Sequence, residues 1–288
     1  MKPLKILGIY RDPKFSNNAI EADRLILQES LAKIQRAHPG QVQLDFWEEG
    51  EAKAKTSVST HYDLVFTMSQ SEETLAALDK LFPKNIVWNS TQAIRNCYRK
   101  TMSETLVGLP VNYVPFQILA TDGTPRLSEG ESYWLKRSDF HAICDDDVSL
   151  AESTAEAESK LVKFRERGVR EVIIQKHIAG DIYKFYGVKG KFFRPIKVRT
   201  FLTDASAPNL ASLERAAAVS AEALGLVIYG GDAILDANGN FHLIDVNDWP
   251  SFRICRDDAS NAIATLASEH LAKMLSSKKV TAVSASGI

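Results

Sequence analysis

Between Val227 and Phe252 the chain reads VIYGGDAILDANGNFHLIDVNDWPSF, and no other stretch narrows the possible folds so far. Two apolar runs rich in β-branched residues, VIYGGDAIL and FHLIDV, flank Asp236-Ala237-Asn238-Gly239-Asn240. Asn-Gly between such runs predicts a β-hairpin. Each strand carries oxygens where a core would prefer carbon: Asp232 on the first, Asp245 and Asn247 on the second. Asp245 and Asn247 are two apart, so a strand points both to one face. A hairpin register can bring Asp232 beside them. Two carboxylates and an amide oxygen suit Mg²⁺, which takes few protein oxygens and completes its shell from water and phosphate. The alternative is a polar edge facing solvent, common in antiparallel sheets. The apolar approach to Asp245 and the Trp249-Pro250-Ser251-Phe252 exit are poor material for a free edge, so the metal reading is preferred.

The pattern D-x12-D-x-N-x-x-P on a hairpin before a carboxyl-terminal helix resembles the metal-binding end of the ATP-grasp superfamily. The similarity is greatest to the branch of glutathione synthetases and ribosomal-protein glutamate ligases, and extends to inositol polyphosphate kinases of that fold. It implies that Asp232, Asp245 and Asn247 bind Mg²⁺ and that ATP is the nucleotide. It also implies a fold: an α/β amino-terminal lobe over residues 1–90, then an ATP-grasp domain over 91–280. The latter comprises two α+β lobes clamping the nucleotide, the smaller covering about residues 113–177.

Composition fits such an enzyme. At 288 residues and 45% hydrophobic, the chain has material for two or three lobes. A net charge of −1 argues against a general nucleic-acid or anionic-membrane surface. Cys97, Cys144 and Cys255 are too few and too scattered for a disulfide framework or a zinc site, as in a reducing cytosol. Met1-Lys2-Pro3 runs straight into LKILGIY without a signal-peptide pattern, and no apolar run approaches the roughly 20 residues that cross a bilayer. A cytoplasmic protein is expected.

The first lobe alternates strand and helix. Strands are predicted at Leu4–Tyr10, Val42–Trp47, Asp63–Thr67 and Asn85–Trp88, and helices at Asn18–Arg36 and Glu72–Leu81. Alternation of this kind implies a parallel sheet covered on both faces. The loop after the first strand lies where such sheets hold ligands. There Ser16 or Asn17 reads as a helix cap. In the superfamily this lobe contacts the acceptor, which makes Arg11 a substrate candidate.

Lys100 opens a helix closed by Gly108-Leu109-Pro110, resembling the K-x5-L-x-G-x-P helix whose lysine reaches the nucleotide phosphates. Without the resemblance Lys100 reads as a solvated surface lysine. Lys136, near the end of the strand Glu131–Arg137, matches the second nucleotide lysine. The following Ser138–Ala142 lacks the glycines that usually let backbone N–H groups approach phosphate. His141 is a phosphate candidate there, or equally a plain turn residue. Asp145-Asp146-Asp147 reads as amino-terminal charge for a helix over Ser153–Arg167. By resemblance, the end of Glu171–Ile178 is the adenine hinge, with Gln175 assisting and backbone near Lys176 and Ile178 reading the base. His177 is expected to pack on the opposite side. Asp181–Val188 and Lys191–Phe201 form another hairpin carrying Lys184, Arg194, Lys197 and Arg199. Half-buried cations need partners, and the resemblance makes Lys184 and Arg199 the ones that act on the transferred phosphoryl group. Helices at Ser212–Leu224 and Ala259–Leu275 complete the chain.

Analogy within the superfamily implies first a carbon–nitrogen-forming ligase that activates a small-molecule carboxylate as an acyl phosphate for attack by an amine or thiol. A kinase acting on a polyol or inositol phosphate is the second reading, and a non-catalytic nucleotide-binding module the third. Crowding of Arg11, Lys14 and further basic residues on the acceptor side would favour the kinase. One or two cations among neutral groups would favour the ligase.

Overall fold

The computed structural model describes residues 2–16, 18–140, 144–202 and 208–285, the last stretch without side chains from 275 onward. β1 (Leu4–Ile9), β2 (Val42–Trp47), β3 (Leu64–Thr67) and β4 (Val87–Trp88) form a parallel sheet in the order β2-β1-β3-β4. It is interleaved with α1 (Ile20–Ala37), α2 (Glu49–Ala54) and α3 (Glu72–Leu81). Strand alternation divides β1 between two cores: Leu4 and Ile6 enter one, Leu7 and Ile9 the other. α1 begins two residues later than predicted. Asn18 is left-handed with φ 52°, and Ala19 at the helix start provides no side-chain cap. The Ser16 hydroxyl is occupied instead by donating to Asp23. Asn17 lies outside the described residues.

Two short helices, α4 (Thr91–Asn96) and α5 (Arg99–Leu106), lead into the second sheet. This is antiparallel, in the order β5-β8-β6-β7, from β5 (Phe116–Ala120), β6 (Tyr133–Arg137), β7 (Val148–Ala151) and β8 (Glu171–Lys176), with α6 (Thr154–Glu166) against it. The three aspartates do not cap α6. They form a 3-10 turn before β7, Ser153 caps α6 by accepting from the Glu156 N–H, and fully buried Asp147 pairs with Arg137 and Arg167.

The third sheet, in the order β10-β9-β11-β12, is antiparallel. It consists of β9 (Asp181–Val188), β10 (Phe192–Arg199), β11 (Ile228–Leu235) and β12 (Phe241–Asp248). α7 (Leu210–Leu224) precedes β11 and ends on left-handed Gly225. The β11–β12 turn is built as predicted: Asp236 accepts from the N–H groups of Asn238 and Asn240, and Gly239 takes φ 82°. α8 (Arg256–Ala285) returns to the first lobe. Its Ala259, Ile263, Ala267 and Leu271 share one core with Leu27, Leu31 and Ile34 of α1. The buried Asn89 side chain joins the lobes, accepting from the N–H groups of Val227 and Ile228 and donating to the Ile228 carbonyl. Among the described residues no helix is long and apolar enough to cross a membrane.

Candidate active site

Strand register assembles the centre of the site. Lys184 of β9, Asp232 of β11 and Asp245 of β12 face one another in a row across three strands, and Asn247 follows Asp245 on the same face. The register slips just after Asp232, a bulge of the kind that re-aims side chains beside functional sites. Close approach of β11 and β12 needs glycine, since a Cβ on Gly231 would stand 2.2 Å from the Asp245 carbonyl oxygen. Lys184 Nζ lies 2.9 Å from Asp232 Oδ1. Burial alone pulls this ammonium's pKa down, but Asp232 outweighs it and the net shift is upward. Asp245 Oδ1 is buried with no hydrogen-bond partner, an expensive state for a carboxylate oxygen unless a cation takes it. Among the described residues no three His, Cys, Asp or Glu side chains cluster as a self-sufficient metal site. Two carboxylates and an amide fit a Mg²⁺ ion that shares its coordination with phosphate.

A pocket of about 370 Å³ opens between the second and third sheets. Val114, Ile178, Ile182, Ile234 and Ile244 give it apolar walls, with Lys136, Gln175 and Arg199 among the polar groups. Lys136 is almost wholly buried and donates to Gln175 Oε1 at 2.6 Å. Burial, and secondarily Arg99, push its ammonium down to about 8, against the opposing pull of Asp245 and Asp232. The Gln175 amide donates onward to the Tyr113 hydroxyl at 2.9 Å, so Gln175 stiffens one wall. At the hinge, the Lys176 N–H bonds the Pro115 carbonyl and its ammonium pairs with Glu131. The Ile178 N–H has no partner among the described residues and remains available to a base edge. His177 is exposed and accepts from the Trp134 indole instead of packing inside. Arg199 is exposed and has no ion pair among the described residues.

Lys100 does not join Lys136. It does not line the pocket, and its ammonium lies 3.1 Å from both oxygens of Glu171. The buried cation of α5 is the neighbouring Arg99, which holds the carbonyls of Arg137 and Phe140 and leaves a buried Nε without a partner. A helical signal was present for it. Arg99, Met102, Ser103 and Leu106 follow the i, i+3, i+4, i+7 spacing of a buried face, and Lys100 does not. His141 lies outside the described residues.

Beyond Lys184 and Asn247 a second chamber, about 350 Å³, reaches the first lobe. Arg11 lines it, yet its donors are engaged by Met68 O, Asp23 and, at 2.7 Å, Trp249 O. That last bond holds a strained segment, because Trp249 and Phe252 are fully buried at φ 36° and 48°, values costly for bulky side chains. Buried Glu49 fixes the backbone around Gln70, which lines the chamber, by accepting from the N–H groups of Asp12, Gln70 and Ser71. Lys14 pairs with Asp12 and does not line the chamber. An adjoining pocket of about 280 Å³ shares Lys184 and Asn247 and is bordered by Arg253.

Two antiparallel sheets enclosing a base-sized pocket, a carboxylate pair on the final hairpin and a parallel α/β lobe in front constitute the ATP-grasp fold. Solved structures of that fold superpose over nearly the whole chain. The D-alanine–D-alanine ligase of Bacillus anthracis, complexed with ATP, matches at a TM-score of 0.65 and 14% identity, covering 93% of this chain and 99% of that one. The D-cycloserine synthetase DcsG gives 0.67 and 16%, covering 92% and 99%. The VanG D-Ala:D-Ser ligase of Enterococcus faecalis gives 0.63 and 10%, covering 92% and 99%. At such identities the likeness is one of fold. The sequence matches no protein-family model and no curated protein.

Proposed function

We propose that this protein is an ATP- and Mg²⁺-dependent ligase that joins a carboxylate to an amine, or to a thiol, through an acyl phosphate. The observation carrying this reading is the charge inventory of the acceptor chamber. Its lining has two cations, Arg11 and Lys184, against two carboxylates and several neutral hydrogen-bonding groups. A polyphosphorylated acceptor needs a cluster of cations, so the kinase reading is the weaker one. The names of the superposing ligases agree with the choice.

In this reading Asp232, Asp245 and Asn247 hold Mg²⁺, which when bound supplies positive charge to the β- and γ-phosphates. The apolar pocket takes adenine, with the Ile178 N–H on its edge and Gln175 behind it. Lys136 faces the phosphates, and the buried Arg99 beside it adds positive charge in the part that the sequence suggests for Lys100. Lys184 and Arg199 neutralise charge as the substrate carboxylate attacks the γ-phosphorus and ADP leaves. The amine then attacks the acyl carbon, inorganic phosphate departs, and the nitrogen loses a proton. Lys176 serves through its backbone and its pair with Glu131, and Arg11 by shaping the chamber.

The test is ADP release from MgATP with pools of amino acids, dipeptides, other carboxylic acids, polyols and sugar phosphates. Release that needs a carboxylate, and phosphate formation completed by an amine or thiol, is the expected result. ADP formed with one hydroxyl acceptor alone makes the protein a kinase. Binding of MgATP without turnover under any pool makes it a nucleotide-binding module.

A further inference from the structure

One backbone acceptor beside the apolar pocket is left without a donor, and a single residue is the cause. Phe116 of β5 pairs with Gln175 of β8, so the next rung of the ladder sets Pro115 against Lys176. Only half of that rung forms. The Lys176 N–H donates to the Pro115 carbonyl at 2.9 Å, but Pro115 has no N–H to return to the Lys176 carbonyl. β6 does not supply a donor, because on that side the bond is made by the next residue, the His177 N–H donating to Ser132 O at 2.8 Å. Nor does the chain before Pro115, which turns away to β12, the Val114 N–H donating to Leu243 O at 3.1 Å. No other described residue donates to the Lys176 carbonyl. Lys176 and Ile178 thus turn their backbone groups into the gap that β5 leaves, and both line the pocket together with Val114.

The gap presents an acceptor and a donor, the Lys176 carbonyl and the Ile178 N–H. That pair complements the edge of adenine, a 6-amino donor beside the N1 acceptor, and opposes guanine and hypoxanthine, which offer an oxygen and an N–H there. The Gln175 side chain adds no further acceptor. Its oxygen accepts from the Lys136 ammonium at 2.6 Å, and its nitrogen donates to the Tyr113 hydroxyl at 2.9 Å and the Ile244 carbonyl at 3.4 Å. Reading of the 6-amino group therefore falls on one carbonyl. We propose that Pro115 sets the preference for that amino group, by withholding the ladder donor that would otherwise occupy the Lys176 carbonyl. Pro115 is a positioning residue. It is exposed, stands immediately before β5 where a ladder tolerates proline, and acts through Lys176. Any other residue there closes the rung and satisfies the carbonyl within the protein. This rests on the reading of the pocket as the adenine site, and gives a role to a residue that reading does not use.

Titration calorimetry on the full chain with Mg²⁺ and no acceptor tests it. The probes are ATP and purine riboside 5′-triphosphate, which differs only in lacking the 6-amino group. The parent is expected to bind ATP about 5- to 10-fold more tightly, the range of one hydrogen bond. Pro115→Ala returns an N–H to the rung. It should weaken ATP until the preference is within about twofold, while the affinity for the purine analogue stays unchanged. Pro115→Val should behave alike, which separates the returned N–H from added backbone freedom. Equal affinity of the parent for both nucleotides, or no binding of either, overturns the proposal. So does a preference kept in both variants, or an equal loss for both nucleotides, which is what a merely structural role produces. ADP release that needs a carboxylate and an amine but is indifferent to the 6-amino group removes the role of Pro115 and leaves the ligase standing. A Pro115-dependent preference with no turnover under any acid and amine does the reverse.

Discussion

Asp245 is the residue whose environment asks most for a ligand. One of its oxygens is buried and unpartnered, so the folded protein without ligand gains nothing from its charge. Asp245→Asn and Asn247→Ala are each expected to abolish Mg²⁺-dependent ADP release while leaving the Tm without nucleotide unchanged or slightly raised. Calorimetry beside a turnover assay checks both, and wild-type turnover in either variant refutes the metal assignment. Lys136 gives a second handle. With its ammonium held near 8 by burial, the cost of charging it in the fold is present in full below that value. The cost lifts as pH rises towards the ordinary 10.5. A polyanion reverses the balance, so MgATP binding at pH 8 should take up a proton and affinity should fall as pH rises through 8. Binding enthalpy should then depend on the buffer's ionisation enthalpy, and Lys136→Met should remove that dependence. At this scale the sequence was informative where chemistry is local. The shared face of Asp232, Asp245 and Asn247 was legible because a strand's two-residue period fixes which side chains point the same way. Asp23, Gln70 and Glu49 were not, because their partners lie on other elements far along the chain and no spacing encodes them.

Elements were legible to the degree that one period dominated them. α3 and β9 fall on their predicted spans, Glu72–Leu81 and Asp181–Val188. β5, β7 and α2 are short and half-exposed, and their mixed patterns do not separate strand or helix from loop. α5 carries two adjacent cations about 100° apart around the helix, Arg99 on its buried face and Lys100 on a half-exposed one. Arg99→Met is expected to lower MgATP affinity by at least about tenfold, the range of a charge-assisted contact, whereas Lys100→Met should leave it within about twofold. Titration calorimetry on the two variants decides, and the reverse order restores Lys100. The end of β10 is pinned from a distance as well. Buried Asp181 accepts from the Leu202 N–H, the Lys197 ammonium and the Phe201 N–H, which hold its carboxyl down at about 2. Its contribution to stability is complete above the ordinary value of 3.8 and is lost as pH falls towards 2. Asp181→Asn should lower stability at pH 7 and flatten the acid limb of the stability curve in that window, measured by denaturant titration at several pH values.

For the molecule as a whole, the nucleotide is expected to act as a strut between the second and third sheets. MgATP at a hundred times its Kd contributes about 2.7 kcal/mol, which for a chain of this size is a rise in Tm of roughly 4–5 °C. Chelating Mg²⁺ with EDTA should remove most of it. Scanning calorimetry with and without chelator tests this, and an unmoved Tm excludes a nucleotide site between the sheets. One arrangement bears on how the protein is made. α1 packs against α8 as well as against β1 and β2, so helices far apart in the sequence complete a single core. At a translation rate of about 5–20 residues per second, the first lobe waits on the order of ten to thirty seconds for Arg256 onward to be synthesised. During that interval the part of Leu27, Leu31 and Ile34 that α8 covers in the finished fold stays open, and the nascent chain presents it to whatever chaperones attend the tunnel exit.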